Sequence, residues 1–191
     1  MTKLIPYPLK PGDPAHAQGP AGLKLEADVR LEDSQGQKKL VLTYSAGGAL
    51  NHILWPASLS SHPQRRDELW KHTCFEAFIK PVGAGFKKEY WEINLSPAGD
   101  WNVYHFTNYR EGMKREEAIH ALHPTFTKDG DHWRLSCSLW VPAWSKATQL
   151  EIGLTSVIEE TSGEISYWAI HHAGPQPDFH LAKSFSAVVS V

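Results

Sequence analysis

Sulfur is scarce in this chain: of 191 residues only two are cysteine, Cys74 and Cys137, and two are methionine. The cysteines form neither a CxxC nor any zinc-ribbon spacing, which removes the common structural metal sites. Both fall in strand-like runs, where the expectation is two buried thiols acting as small hydrophobes; one disulfide between them is the alternative. A surplus of charge is also missing. Lysine plus arginine number 19 against 21 acidic residues, a formal charge of -2. So balanced a chain offers no electrostatic footprint for a phosphate backbone, and nucleic acid is not an expected partner.

Long apolar runs are absent too. Nothing approaches the roughly 20 residues of a membrane-spanning helix, so no membrane partner is expected. Met1-Thr2-Lys3-Leu4-Ile5-Pro6 lacks the apolar centre of a signal peptide, and the expected location is the cytoplasm. No GxSxG, P-loop, GxGxxG or HExxH motif is found, which takes away the commonest signatures of hydrolases, nucleotide enzymes and zinc proteases.

What remains is a composition able to fold. Hydrophobic residues make up 41% and charged residues 21%, so disorder is not the class. The length suits one domain with a continuous core. Eight tryptophans and eleven histidines are the unusual feature, and most of the tryptophans belong in a core.

Along the chain, residues 1–22 hold Pro6, Pro8, Pro11, Pro14 and Pro20, a composition that favours extended backbone and rules out helix. They are expected to form an arm packed on the domain that residues 23–191 build. Leu23, Leu25, Ala27, Val29 and Leu31 then alternate with polar residues, the period of a strand with one wet face. Ser34-Gln35-Gly36-Gln37 reads as a hairpin turn into 39–44. Further strands are expected at 74–79, stopped by Pro81, and at 89–95, 101–106, 119–126, 132–140, 150–158, 165–170 and 185–191. Residues 56–72 and 107–117 read as loops, with short helical turns at most. About ten short strands with frequent turns predict an all-β fold, an antiparallel β-sandwich or a barrel.

Chemistry concentrates in Tyr90-Trp91-Glu92-Ile93-Asn94-Leu95. In a strand, alternate residues share a face, so Trp91, Ile93 and Leu95 are assigned to the core. Tyr90, Glu92 and Asn94 then stand in one row on the opposite side. An aromatic ring packs on a sugar's C–H face, while a carboxylate and an amide bond its vicinal hydroxyls. Glu76 joins them if its strand pairs with theirs. The plain alternative is an ordinary solvated sheet face.

The segments LWKHTCFEAFIKP, YWEINLSPAGDWNVYHFTNYREGM and WAIHHAGPQPDFHLAKSF together resemble the DOMON-like proteins related to the family 9 carbohydrate-binding modules. The likeness runs from about Leu40 to the end. It implies a jelly-roll or immunoglobulin-like β-sandwich that binds a carbohydrate or sugar-like ligand without catalysis. By that resemblance Trp70, Glu76, Glu92, Asn94 and Arg110 are the ligand-binding candidates, with Trp101 and Trp168 competing to supply a second aromatic clamp. Related proteins also bind haem, through methionine and histidine axial ligands. Met1 is the initiator and Met113 lies in a polar loop, so a haem here would call on two histidines, with His172 and His180 as candidates. The plainer expectation for those imidazoles is that they bond loop backbone and hold the turn around Pro175 and Pro177. No other cofactor and no metal is expected. A protein-interaction module is a further reading, and a glycoside hydrolase built on Glu76 and Glu92 is the weak catalytic one.

Overall fold

A computed structural model describes residues 1–8, 19–56 and 62–191. Pro11 and Pro14 of the expected arm lie outside the described residues. The strands are β1 (Thr2–Pro6), β2 (Lys24–Ser34), β3 (Gln37–Gly47), β4 (Cys74–Val82), β5 (Tyr90–Leu95) and β6 (Trp101–Phe106). They continue with β7 (Lys114–Arg115), β8 (Thr125–Asp129), β9 (His132–Leu139), β10 (Gln149–Glu159), β11 (Ile165–Ala169) and β12 (Ala187–Ser190). The described helical segments are 3₁₀ turns at Leu50–His52, Leu69–Lys71, Pro142–Lys146 and Ala182–Ser184. None is long and apolar enough to cross a membrane. The protein is all-β.

Every described strand pairs antiparallel, in the order β7-β6-β5-β4-β10-β11-β1-β2-β3-β9-β8, with β12 on β10. The sheet curls because β1 changes partners midway. Thr2 to Leu4 pair with β2, while Ile5 and Pro6 pair with β11. The two arms of the curl meet through side chains. Phe75 of β4 packs against Tyr44 of β3 at 5.3 Å and stacks on Trp133 of β9 at 4.5 Å. Tyr44 also donates its hydroxyl to the Glu76 carbonyl at 2.5 Å, satisfying a buried phenol across the core.

Local chemistry sets the hairpins. Gln35 and Gly36 have φ of 55° and 79°, the paired positive values that match a two-residue turn to the right-handed twist of its strands. Between β5 and β6, Gly99 takes φ 99° and its N–H donates to the Ser96 carbonyl at 2.9 Å. That turn fixes the register at Leu95 opposite Trp101.

Two expected boundaries are corrected. The strand at 74–79 does not stop at Pro81 but runs on to Val82. β5 has left β4 after Ile79, so one side of the strand no longer needs a donor there. The expected strand at 119–126 begins only at Thr125, because Pro124 lacks an N–H and restricts the residue before it. Ile119 and Leu122 are buried from irregular backbone instead. Cys74 and Cys137 are free, buried thiols.

Candidate functional site

The arm formed by β6, β5, β4, β10 and β11 is covered on both faces. One face carries Phe75, Ala77, Ile79, Trp91, Ile93, Leu95 and Val103 into the main core. The other carries a separate apolar cluster around Phe78, Tyr90, Tyr104 and Phe106, closed by Phe179 and Phe185 from the last loop.

Polar residues cross this second face in register. Thr155 of β10 lies opposite Glu76 of β4, Glu76 opposite Asn94 of β5, and Asn94 opposite Asn102 of β6. In the next row Phe78 faces Glu92, and Glu92 faces Tyr104. Glu76 and Glu92 are thus diagonal neighbours on adjacent strands. This is not a solvated face: Glu76 is 2%, Glu92 4% and Asn94 0% exposed.

A cavity of about 390 Å³ opens over these rows, its lining including Trp70, Glu76, Phe78, Glu92, Phe106, Arg110, Tyr167, Phe179 and His180. Its size is in the range of small-molecule sites. Each carboxylate has a side-chain donor within the sheet. Asn94 Nδ2 donates to Glu92 Oε1 at 2.7 Å, and Thr155 Oγ1 donates to Glu76 Oε2 at 3.3 Å. Glu92 Oε2 faces His180 Nε2 at 3.8 Å, beyond hydrogen-bond reach. A carboxylate offers about four lone-pair positions, so Glu92 retains unused acceptor capacity toward the cavity.

Burial governs the charges. It pushes the Glu92 carboxyl up to about 7 against the opposing pull of the Asn94 amide and Arg110. Burial, and then the neighbouring Glu92, push Glu76 well above the usual carboxylate range. Burial and the Arg110 guanidinium push His180 down to about 4, so its imidazole is neutral near pH 7.

Asp178 ties the rim together. It accepts from Tyr109 Oη at 2.5 Å, from Arg110 Nη2 at 3.0 Å and from the His180 backbone N–H at 3.0 Å. Although burial pushes the other way, the bonds from Tyr109 and Arg110 hold its carboxyl below its ordinary range. Trp70 leans edge-on against Tyr104 at 5.7 Å, and Tyr104 donates to Asp67 at 2.7 Å.

Of the sequence candidates, Trp70, Glu76, Glu92, Arg110 and His180 line this one cavity, and Asn94 sits behind it bonded to Glu92. His172 does not join them. It pairs with the Ile5 carbonyl at 2.9 Å and packs edge-on against Tyr7, the backbone-holding role of the plainer expectation. The two imidazoles that a bis-histidine haem would need therefore do not face one space, and the residues present do not fit that arrangement. Trp101 and Trp168 are core residues: Arg65 lies over the first, and the second donates to Ser166 Oγ at 2.9 Å. The cavity's other aromatics are Phe78, Phe106, Tyr167 and Phe179, none of them picked out from the sequence. The alternation of Tyr104 and Phe106 with core residues in β6 was a usable signal; nothing local marked Tyr167, Phe179 or Asp178.

No protein-family model matches the chain, and no curated protein matches it. Among solved structures it is similar to a candidate carbohydrate-binding protein from Bacteroides uniformis, at a TM-score of 0.59 and 16% identity. The match covers 87% of this chain and 78% of that one. The likeness is one of fold. A family 9 carbohydrate-binding module from Caldicellulosiruptor kristjanssonii in complex with glucose aligns with 99% of this chain and 83% of its own, at a TM-score of 0.44 and 9% identity.

Proposed function

We propose that this protein is a non-catalytic ligand-binding domain that takes a carbohydrate or sugar-like ligand in the cavity over β4, β5 and β10, on a β-sandwich of the DOMON-like kind. The observation that carries the reading is Glu92. It is a buried carboxylate with one oxygen satisfied by Asn94 and the other turned to a small-molecule-sized space. That oxygen opens to the cavity, and a ligand hydroxyl can donate to it in place of water. The walls complete the requirement of a sugar. Trp70, Phe106 and Tyr167 offer faces and edges to C–H groups, Arg110 and His180 Nε2–H can donate, and Glu76 can accept. The fold shared with the Bacteroides protein supports the same direction.

Absence of catalysis is part of the proposal. Glu76 and Glu92 rise from the same sheet face and would meet a ligand from one side. Glycosidic cleavage needs its two carboxyl groups to flank the scissile bond.

The test is a titration with a panel of monosaccharides, read by the fluorescence of Trp70 against a Trp70→Phe control. The expected result is saturable binding of at least one sugar, with a signal much reduced in the control, and no turnover of the matching aryl glycoside. Flat titrations across the panel, or hydrolysis lost in Glu92→Gln, would overturn the reading.

A further inference from the structure

We propose that the cavity's preferred ligand is cationic: a hydroxylated ring bearing a protonated amine, an amino sugar, whose ammonium lies against Glu76 and Glu92. This rests on the carbohydrate reading and narrows it to a substrate class. Three observations carry it. The first is the pair of acids. Glu76 and Glu92 are both buried on one sheet face, diagonal across adjacent strands and lining the same space. A neutral sugar needs one such acceptor; two side by side repel each other whenever both ionise.

The second observation is that the internal counter-charge is shared: Arg110 pulls on Glu92 but is bonded to another acid. Among the described lining residues Arg110 is the one permanent cation, and its Nη2 is bonded to Asp178 at 3.0 Å. The remaining basic group, His180, pairs at Nδ1 with the hydroxyl of Tyr90, 2.7 Å away, and is neutral near pH 7. The third is the open oxygen. Glu92 is nine-tenths and more buried, yet its Oε2 faces the cavity with His180 Nε2 no nearer than 3.8 Å. An ammonium group supplies three donors and a full positive charge at that place, and Trp70, Phe106 and Tyr167 belong to the same lining, aromatic surroundings that suit a cation.

The experiment compares four probes by calorimetry on the whole protein: glucose, glucosamine, N-acetylglucosamine and benzylamine. Glucosamine should bind about tenfold or more tighter than glucose, the margin of a charge-assisted pair over a neutral hydrogen bond. N-acetylglucosamine, whose nitrogen carries no charge, should show no such gain. Glu92→Gln and Glu76→Gln each keep the side chain's shape and remove a carboxyl that an adjacent ammonium would favour in its ionised form; each should shrink the glucosamine-to-glucose ratio toward one. Glucose bound as tightly as glucosamine, or a preference that persists in both variants, overturns the inference and leaves the carbohydrate reading standing. Benzylamine bound through Glu92 while no sugar binds keeps the cation and overturns the carbohydrate. No binding of any probe overturns both.

Discussion

Tyr90 Oη lies 2.7 Å from Nδ1 of His180, and it also accepts the backbone N–H of Arg110 at 3.2 Å. Among the described hydrogen bonds the phenol's own hydrogen has no other acceptor than Nδ1, so the hydrogen is assigned there. Burial pushes that phenol up to about 12, so the hydrogen stays in place throughout the neutral range. The neutral imidazole must then carry its proton on Nε2, the nitrogen that faces Glu92. A residue 90 positions away in sequence thus decides what His180 offers a ligand.

That assignment is directly measurable. Nitrogen-edited NMR of the histidine rings should show His180 as the Nε2–H tautomer at neutral pH. Tyr90→Phe should mix the two tautomers and destabilise the fold by about 1–2 kcal/mol through the lost buried hydrogen bond. An Nδ1–H tautomer in the wild type would contradict the geometry.

Stability against pH follows from the same groups. The Glu92 carboxyl moves from 4.5 up to about 7 on folding, so the folded state holds the extra proton between those values. Its contribution is fully present below about 4.5 and is lost as the pH rises through 7. His180 moves from 6.5 down to about 4, so its contribution is present above 6.5 and is lost as the pH falls through 4. The two oppose each other over most of that range. Glu92→Gln removes one of them. Its stability relative to wild type should therefore grow as pH rises from about 4.5 to 7, by up to about 3 kcal/mol at roughly 1.4 kcal/mol per unit. Urea unfolding across a pH series reads this difference, and a difference that does not change with pH would refute it.

Neighbouring phenylalanines of β4 should separate stability from binding. Phe75 points into the core, between Tyr44 and Trp133. Phe78 points into the cavity beside His180 at 5.0 Å. Phe75→Ala should lower stability by about 3–5 kcal/mol and leave the affinity of the remaining folded protein near wild type. Phe78→Ala should weaken ligand binding at least as clearly as it weakens the fold. Equal effects of both on affinity would mean the two faces are not independent.

The pattern of β5 was open to sequence reasoning because period-two alternation needs only local information: Trp91, Ile93 and Leu95 went to the core and Glu92 to the other face. Glu76 was legible only conditionally, since its place beside Asn94 depends on which strands pair. What periodicity could not show is that the polar face is covered. The covering residues, Phe179, His180 and Phe185, arrive from a loop with no repeat of its own. Asp178 was missed for the same reason, although it fixes Arg110, Tyr109 and the His180 backbone together. Trp101 and Trp168 misled because a tryptophan ring suits a clamp and a core equally well.

The most direct measurement is ligand affinity in Glu92→Ala beside Glu26→Ala, using the tightest-binding sugar of the panel. Glu26 stands exposed on β2, across from Ser45 and away from the cavity lining. Removing a buried charged hydrogen-bond partner should cost about 1.5–3 kcal/mol, roughly a ten- to hundredfold loss in affinity. The account predicts that loss for Glu92→Ala and wild-type binding for Glu26→Ala; Glu92→Ala binding the sugar as tightly as wild type would contradict it.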